Sequence, residues 1–111
     1  MIPYEAYLNV IDDRKETIDA CACYIWDHPE LRFREYQSAA YYRELLTREG
    51  FAVEENLAGI PTAFSGSFGS GRPIIGLLAE FDALSGLSQK SGCPEKSRQD
   101  GQTDGHGCGH N

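Results

Sequence analysis

The stretch PIIGLLAEFDAL (residues 73–84) constrains the fold most strongly, because it is the most apolar run in the chain. It follows a turn signal, Gly-Ser-Gly-Arg-Pro, over residues 69–73. A continuous apolar run of this length, bounded by turn residues, is typical of a strand that is buried on both faces. The sequence therefore predicts a central strand here, with other elements packed against either side.

The segments before this run predict two helices and two further strands. Apolar residues recur at helical spacing over residues 4–26, and the pattern ends before Pro29. A second helix is predicted over residues 35–49. The segments FAVEEN (51–56) and TAFSGSFG (62–69) are short and have strand-like composition. Two helices followed by three strands, one of them central, predict a layered α/β or α+β domain.

Residues 85–105 form a long polar segment that is rich in Gly, Ser, Gln and charged residues and shows no periodicity. A loop of about twenty residues is unusual inside a compact domain, and such loops are generally functional or disordered. With 111 residues, the chain amounts to one domain or part of one.

Charge and hydropathy argue against several classes of partner. The net charge is −7 and the pI is about 4.8, so phosphate backbones and anionic membranes are disfavoured. No apolar run reaches the roughly 18 residues that a membrane span requires. The N-terminal sequence lacks the basic start and apolar run of a signal peptide, and the four cysteines match no compact disulfide scaffold. We therefore expect a cytoplasmic protein with reduced thiols.

The terminal DGHGCGHN (104–111) places three candidate metal ligands in five positions. His106, Cys108 and His110 alternate with glycines, so an extended backbone would put all three side chains on one side. Thiolate and imidazole are good ligands for zinc, which usually takes four protein ligands in a structural site and three in a catalytic one. Cys93 is the only other soft ligand nearby. Three interpretations stay open: a closed site that includes Cys93, part of a larger site, or a flexible polar tail with an incidental cysteine.

A second candidate group is the pair Glu80 and Asp82, which lie two residues apart near the end of the predicted central strand. Side chains at this spacing in a strand face the same way. In α/β enzymes, the carboxyl end of a central strand commonly carries functional residues. The pair would either bind a metal, orient a metal-bound imidazole, or remain as solvated charges at the strand end.

Four segments together resemble a known family. They are WDHPELRFRE (26–35), GFAVE (50–54), AEFDALSGLSQ (79–89) and GHGCGHN (105–111). In this combination and order they resemble the metal-dependent amidohydrolases and peptidases of the aminoacylase and carboxypeptidase type. Within that family, they are most similar to the branch that includes aminobenzoyl-glutamate utilisation protein B. The resemblance spans essentially the whole chain and implies the N-terminal part of a zinc-peptidase-like α/β catalytic domain.

The resemblance also implies a chemistry and a set of site residues. Such enzymes hydrolyse the amide bond of N-acyl amino acids, for example p-aminobenzoyl-glutamate or a dipeptide, with two zinc or manganese ions. Cys108 and His110 match the two metal ligands of the family motif, and Asp82 matches its strand-end aspartate, the candidate catalytic residue. Glu80 and His106 fall at positions of less certain role. Ser85 stands where the family has a proline, which loosens the turn without removing a ligand.

The family continues beyond this motif with the glutamate general base, the other metal ligands and a smaller domain, which have no counterpart in residues 1–111. We therefore expect an incomplete catalytic domain that is inactive alone. The substrate of the full enzyme is expected to be a small-molecule N-acyl amino acid. We also expect the chain to form an oligomer or to pair with a complementary chain. The alternative is a small non-enzymatic metal-binding or interaction protein that uses the terminal His/Cys cluster.

Overall fold

The computed structural model describes residues 1–109 and 111, and within them three α-helices precede a two-stranded antiparallel sheet. The elements are α1 (Tyr4–Asp13), α2 (Lys15–Asp27), α3 (Tyr36–Arg48), β1 (Ala52–Glu55), a 3₁₀ turn (Leu57–Gly59) and β2 (Phe64–Ser67). The predicted mixture of helices and strands is confirmed, and the zinc-peptidase-like domain stays a prediction. None of these helices is both long and apolar enough to cross a membrane.

The first helix is divided, contrary to the single helix predicted over residues 4–26. Arg14 leaves helical geometry, with φ −100° and ψ 0°, and separates α1 from α2. Helix α1 buries no side chain, whereas α2 buries Cys21 and Ile25. Since most helical stability in proteins comes from packing of an apolar face, nothing in the described packing holds the two segments in one straight helix.

Helix α3 is confirmed, and its N-terminus is capped from outside the helix. The Glu30 carboxylate accepts hydrogen bonds from the backbone amides of Gln37 (3.0 Å) and Ser38 (2.8 Å). These amides have no partner inside the helix, and a negative charge there is favourable because the helix dipole is positive at that end. At the other end, Gly50 takes a left-handed φ of +88° that terminates the helix.

The hairpin of β1 and β2 lies within the two segments predicted as strands and packs on α3. Its register runs from Ala52 opposite Ser67 to Glu55 opposite Phe64. Three aromatic rings join the hairpin, α3 and the segment after it: Tyr42 lies 5.2 Å from Phe81 and 6.4 Å from Phe64, and Phe64 lies 5.9 Å from Phe81, measured between ring centroids. This aromatic cluster fixes Phe81 against the body of the protein.

A small core lies between α2 and α3 and contains Cys21, Ile25, Ala39 and Ala83. Burial raises the pKa of the Cys21 thiol, and it raises the pKa of Tyr42, which shares a hydrogen bond with Cys21, to about 12. Both groups are therefore protonated at neutral pH.

The central strand predicted over residues 73–84 is wrong for this structure. Residues 73–82 form no strand, and the Ile74, Ile75, Leu77 and Leu78 side chains are 82 to 96% exposed. A strand requires hydrogen-bonding neighbours, and the two described strands pair with each other instead. The first backbone pairing in this stretch occurs at Ala83 and Leu84, each of which forms an isolated bridge.

Candidate functional site

Three of the four sequence segments, 26–35, 79–89 and 105–111, meet through backbone pairing around Ala83 and Leu84. Ala83 bridges Leu31 in parallel fashion, and its amide donates to the Glu30 carbonyl at 2.8 Å. Leu84 bridges Gly105 in antiparallel fashion, with two hydrogen bonds of 3.0 Å between their amides and carbonyls. The stretch that carries Glu80 and Asp82 is thereby held between the turn after α2 and the terminal His/Cys motif.

Two glycines of the terminal motif are required by close backbone contact. A Cβ atom on Gly105 would lie 2.5 Å from the Leu87 carbonyl oxygen and 2.5 Å from the Ser88 Cα. A Cβ on Gly107 would lie 2.8 Å from the same carbonyl, which accepts the Gly107 amide at 3.0 Å. Real Cβ atoms essentially never approach backbone below 3.0 Å, so only glycine fits at either position.

His106 lies in the interior, not on the surface of the site. It is 1% exposed, and its ring centroid lies 6.5 Å from that of Trp26 on α2. Its backbone carbonyl accepts the Gly109 amide at 2.8 Å, which closes a turn over residues 106–109. His106 therefore packs the terminal motif against α2.

The turn alters the arrangement expected for the terminal ligands. Extended geometry would place His106 and Cys108 on one side, but His106 is buried and Cys108 is exposed. The extended backbone that this expectation assumed is absent at His106–Gly109, because the Gly109 amide bonds back to the His106 carbonyl and residues 107 and 108 form the turn between them. His110, the other predicted ligand, lies outside the described residues. Asn111 is anchored on α2, where its side-chain amide donates to the Ala22 carbonyl at 2.9 Å.

Glu80 and Asp82 line a common cleft of about 210 Å³, whose other walls come from the turn before α3 and the loop of residues 60–63 that precedes β2. Glu80 is exposed and Asp82 is half-buried. Phe81 between them is fixed by the aromatic cluster, so the carboxylates on either side have a supported backbone. The structure thus brings these two predicted residues to the same cleft.

Glu35 is a third acidic residue at this cleft, and the sequence analysis did not single it out. It is 9% exposed, and its Oε2 atom is buried without a hydrogen-bond partner in the described part of the chain. Buried carboxylate oxygens are normally paired, so this atom is exceptional. The signal was available, since Glu35 is the last residue of the WDHPELRFRE segment.

The polar loop of residues 85–105 contains no helix or strand, but it is organised by the Gln89 side chain. The amide nitrogen of Gln89 donates to the carbonyls of Cys93 (3.0 Å) and Glu95 (2.8 Å), and its oxygen accepts the Ser97 amide at 3.1 Å. The backbone carbonyl of Gln89 accepts the Trp26 indole N–H at 2.9 Å. The loop is therefore tied to α2 beside His106.

The described donors do not by themselves make up a metal site. Within residues 1–109 and 111, no group of three or more His, Cys, Asp or Glu side chains is placed to hold a metal ion. Cys93 is half-buried and its thiol contacts the Glu95 carbonyl at 3.4 Å. The closed site built from Cys93 and the terminal cluster is not favoured by these placements. The exposed Cys108 retains the chemistry of a zinc ligand.

The chain is similar in sequence to several known hydrolases and peptidases. It is 50% identical over 99 residues to one subunit of the p-aminobenzoyl-glutamate hydrolase of Escherichia coli (strain K12), a match that covers 89% of this chain and 20% of that protein. It is 35% identical over 88 residues to thermostable carboxypeptidase 2 of Saccharolobus solfataricus, covering 78% of this chain and 21% of the relative. It is 29% identical to the human Xaa-Arg dipeptidase over 91% of this chain and 22% of that protein.

The chain therefore spans about a fifth of the length of the curated relatives it matches. No protein-family model matches it, and no solved structure matches it. The resemblance that the four segments indicated is confirmed by these relatives.

Proposed function

Because this chain belongs, over the stretch compared above, to the hydrolase family of the aminoacylase and carboxypeptidase type, we propose that it contributes part of the active site of a metal-dependent amidohydrolase. The substrate is an N-acyl amino acid such as p-aminobenzoyl-glutamate, or a dipeptide. The observation that supports this most directly is the Leu84–Gly105 pairing, which holds the carboxylate-bearing stretch beside the terminal His/Cys motif.

In this proposal, Cys108 and His110 hold a divalent cation, zinc or manganese, and Asp82 orients the bound groups from the neighbouring stretch. When bound, such a cation supplies Lewis-acid polarisation of the scissile carbonyl and a more acidic water. Glu80 and Glu35 add carboxyl groups at the adjoining cleft. His106 acts through packing: it fixes the backbone that presents Cys108.

The general base and the other metal ligands come, in this proposal, from the part of the relatives that lies outside the matched stretch. A general base must lie within hydrogen-bonding reach of the proton it removes. Catalysis therefore depends, in this proposal, on those groups together with the residues of this chain. We place the protein in the cytoplasm, with its four cysteines reduced.

A chimera tests this function. In the Escherichia coli p-aminobenzoyl-glutamate hydrolase, the matched stretch of the related subunit is replaced by this chain, and hydrolysis of p-aminobenzoyl-glutamate and bound metal are measured. We expect the chimera to be active. Cys108→Ala should abolish this activity and the bound metal, and Asp82→Asn should lower the activity by about 10- to 100-fold. Cys23→Ala is the matched control, because Cys23 is also an exposed cysteine but lies on α2.

Two results would contradict the proposal. One is a folded chimera that hydrolyses the substrate equally well with and without the Cys108 thiol. The other is a chimera that retains its full metal content after Cys108→Ala and loses it after Cys93→Ala. The second result would favour the interpretation in which Cys93 and the terminal cluster form a closed metal site.

A further inference from the structure

Glu35 lies at the N-terminus of α3, but its carboxyl group does not cap that helix. It occupies the N-cap position, where a side-chain oxygen normally accepts a hydrogen bond from one of the first backbone amides. No such hydrogen bond forms, because the amides of Gln37 and Ser38 donate to Glu30 instead. Capping of α3 therefore does not explain why Glu35 is buried.

The burial of this carboxyl group is costly without a partner. Glu35 is 9% exposed, and its Oε2 atom accepts no hydrogen bond from the described residues. None of the ion pairs within residues 1–109 and 111 involves Glu35. Protonation would not remove the deficit, because a buried hydroxyl group also needs a partner. A hydrogen-bond donor that reaches this carboxyl group would therefore be bound favourably.

The cleft beside Glu35 has the chemistry and the size to admit such a donor. Among the described residues that line it, the ionisable ones are Glu35, Glu80 and Asp82, and all three carry carboxyl groups. The terminal torsion of a glutamate side chain rotates over a broad range, so Oε2 can turn toward the cleft. The volume of about 210 Å³ is below the roughly 300–1,000 Å³ of pockets for drug-sized ligands. The cleft therefore holds a group about as large as one side chain.

Aromatic residues at the cleft favour an organic cation as this group. Phe33 lines the cleft, is 61% exposed and has a φ of +64°, a left-handed conformation that is strained for a bulky residue. Strain of this kind is common where ligands are held. Phe81 also lines the cleft, and the Tyr42 and Phe64 rings hold it in place. Faces of aromatic rings attract cations, which adds to the attraction of the carboxylates.

The carboxyl groups are poorly placed for a metal ion. In the part of the chain that the structure describes, no three Asp, Glu, His or Cys side chains are arranged to hold one ion together. A cation with several N–H donors does not need such convergence, because each donor can pair with a different carboxylate. Ile60 and Ala63 in the lining offer apolar contact to the stem that carries the charge.

We propose that this cleft binds an alkylammonium or alkylguanidinium group, with Glu35 as its main partner, Glu80 as a second carboxylate and Phe33 as the ring beside the cation. The site is additional to the metal site of the proposed function, since Cys108 is not among the described residues that line the cleft. It selects ligands by positive charge and N–H donors together. A neutral group of the same shape forms no charge-assisted hydrogen bond with Glu35 and binds more weakly.

Titration of the intact 111-residue chain with n-butylguanidinium, followed by NMR shifts of the backbone amides, tests the site. We expect saturable binding with a Kd of about 1 mM and shifts at residues 33–35, 62–63 and 80–82. n-Butylammonium should also saturate, and the ratio of the two Kd values shows which cation the cleft prefers. n-Butanol, which has the same stem without the charge, should not saturate. The chelator EDTA is present throughout, so the result does not depend on a bound metal.

Substitutions identify the groups that bind the cation. Glu35→Gln removes the charge at nearly constant shape and should weaken n-butylguanidinium binding by about 10- to 100-fold, because hydrogen bonds to charged groups are the stronger ones. Glu44→Gln is the matched control, since it makes the same change at an exposed position of α3 outside the cleft. Phe33→Leu keeps an apolar side chain but removes the ring, and it should weaken binding by about two- to fivefold.

If Glu35→Gln does not fold, Glu80→Gln at an exposed position supplies a second measurement and should weaken binding by about two- to fivefold. The proposal is overturned if n-butanol binds as tightly as n-butylguanidinium, if the glutamine variants in the cleft bind like Glu44→Gln, or if the shifts lie outside the cleft. Zn²⁺ binding without EDTA that Glu35→Gln abolishes would also contradict it.

The outcome is independent of the proposed function. A chimera that fails to bind metal, but whose cleft still binds n-butylguanidinium, would contradict the proposed function alone. An active chimera that binds metal and neither organic cation would contradict the cation site alone.

Discussion

Replacing Gly105 with alanine tests whether the terminal motif depends on the close backbone contact seen in the structure. The added Cβ would lie 2.5 Å from the Leu87 oxygen and 2.8 Å from the Ser88 nitrogen, and both are backbone atoms that cannot rotate away. Relief requires the motif to separate from the turn at residues 84–88. That movement strains the two 3.0 Å hydrogen bonds between Leu84 and Gly105.

The expected magnitude follows from these two effects. Forcing an extra carbon into a packed site costs about 1–3 kcal/mol, and weakening two hydrogen bonds costs about 1 kcal/mol each. Alanine also restricts the conformations of the unfolded chain, which stabilises the folded state by about 0.4–1 kcal/mol and offsets part of this cost. We therefore expect the free energy of unfolding to fall by about 2–4 kcal/mol, a large part of the roughly 5–15 kcal/mol typical of a domain.

Urea unfolding followed by tryptophan fluorescence measures this change at the site itself. Trp26 is the only tryptophan in the chain, and it contacts both the polar loop and the His106 ring. With a typical urea dependence of about 1–3 kcal/mol per molar, the midpoint should fall by roughly 1–3 M. Gly76→Ala is the matched control, because a Cβ there meets no atom within 4 Å and the backbone is not left-handed.

The refuting results are specific. If Gly105→Ala changes the free energy of unfolding by less than about 0.5 kcal/mol, the close contact does not hold the motif in place. If Gly76→Ala costs as much as Gly105→Ala, the effect comes from glycine replacement in general and not from the contact.

Two further measurements test the packing that supports the site. Glu30→Ala should lower the free energy of unfolding by about 0.5–2 kcal/mol, because the first amides of α3 lose their cap. Glu44→Ala, at an exposed position of α3, should have little effect. Equal effects of the two substitutions would contradict the capping role of Glu30. The free energy of unfolding should decline as the pH rises from 10 to 12, because burial raises the pKa of Tyr42 to about 12 in the folded protein. In this range the folded protein keeps a proton that the unfolded chain has released, so rising pH favours unfolding. Tyr42→Phe should flatten that decline relative to Tyr4→Phe at an exposed position, and a slope unchanged by Tyr42→Phe would contradict the assignment.

The elements that the sequence predicted well are those determined by nearby residues. Helix α3 and the β1–β2 hairpin depend on local spacing and on turn residues such as Gly50, and both form where expected. Three of the four segments that indicated the family are joined in space by pairings at Ala83 and Leu84, although no single segment shows this. The pairing partners lie tens of residues apart, so local patterns contain no information about them.

The predictions that were wrong depend on distant or absent neighbours. The apolar pattern of residues 73–84 indicates a strand buried on both faces, but burial needs other strands and layers that the described chain does not provide. The expected one-sided array of His106 and Cys108 assumed an extended backbone, whereas residues 106–109 form a turn, with His106 buried and Cys108 exposed. In both cases the side-chain pattern assumed a backbone conformation that the chain does not adopt there.

The division between ordered and unpaired segments bears on how a complete site would assemble. Residues 83–84 and 105–107 are already fixed by backbone hydrogen bonds and by glycine contacts that no other residue permits. Ordering the backbone of one residue costs about 1–2 kcal/mol, and folding has already offset that cost at these positions. The remaining groups of the proposed site would therefore meet a backbone that is already in place next to the stretch of Glu80 and Asp82, which favours tight binding of whatever the site holds.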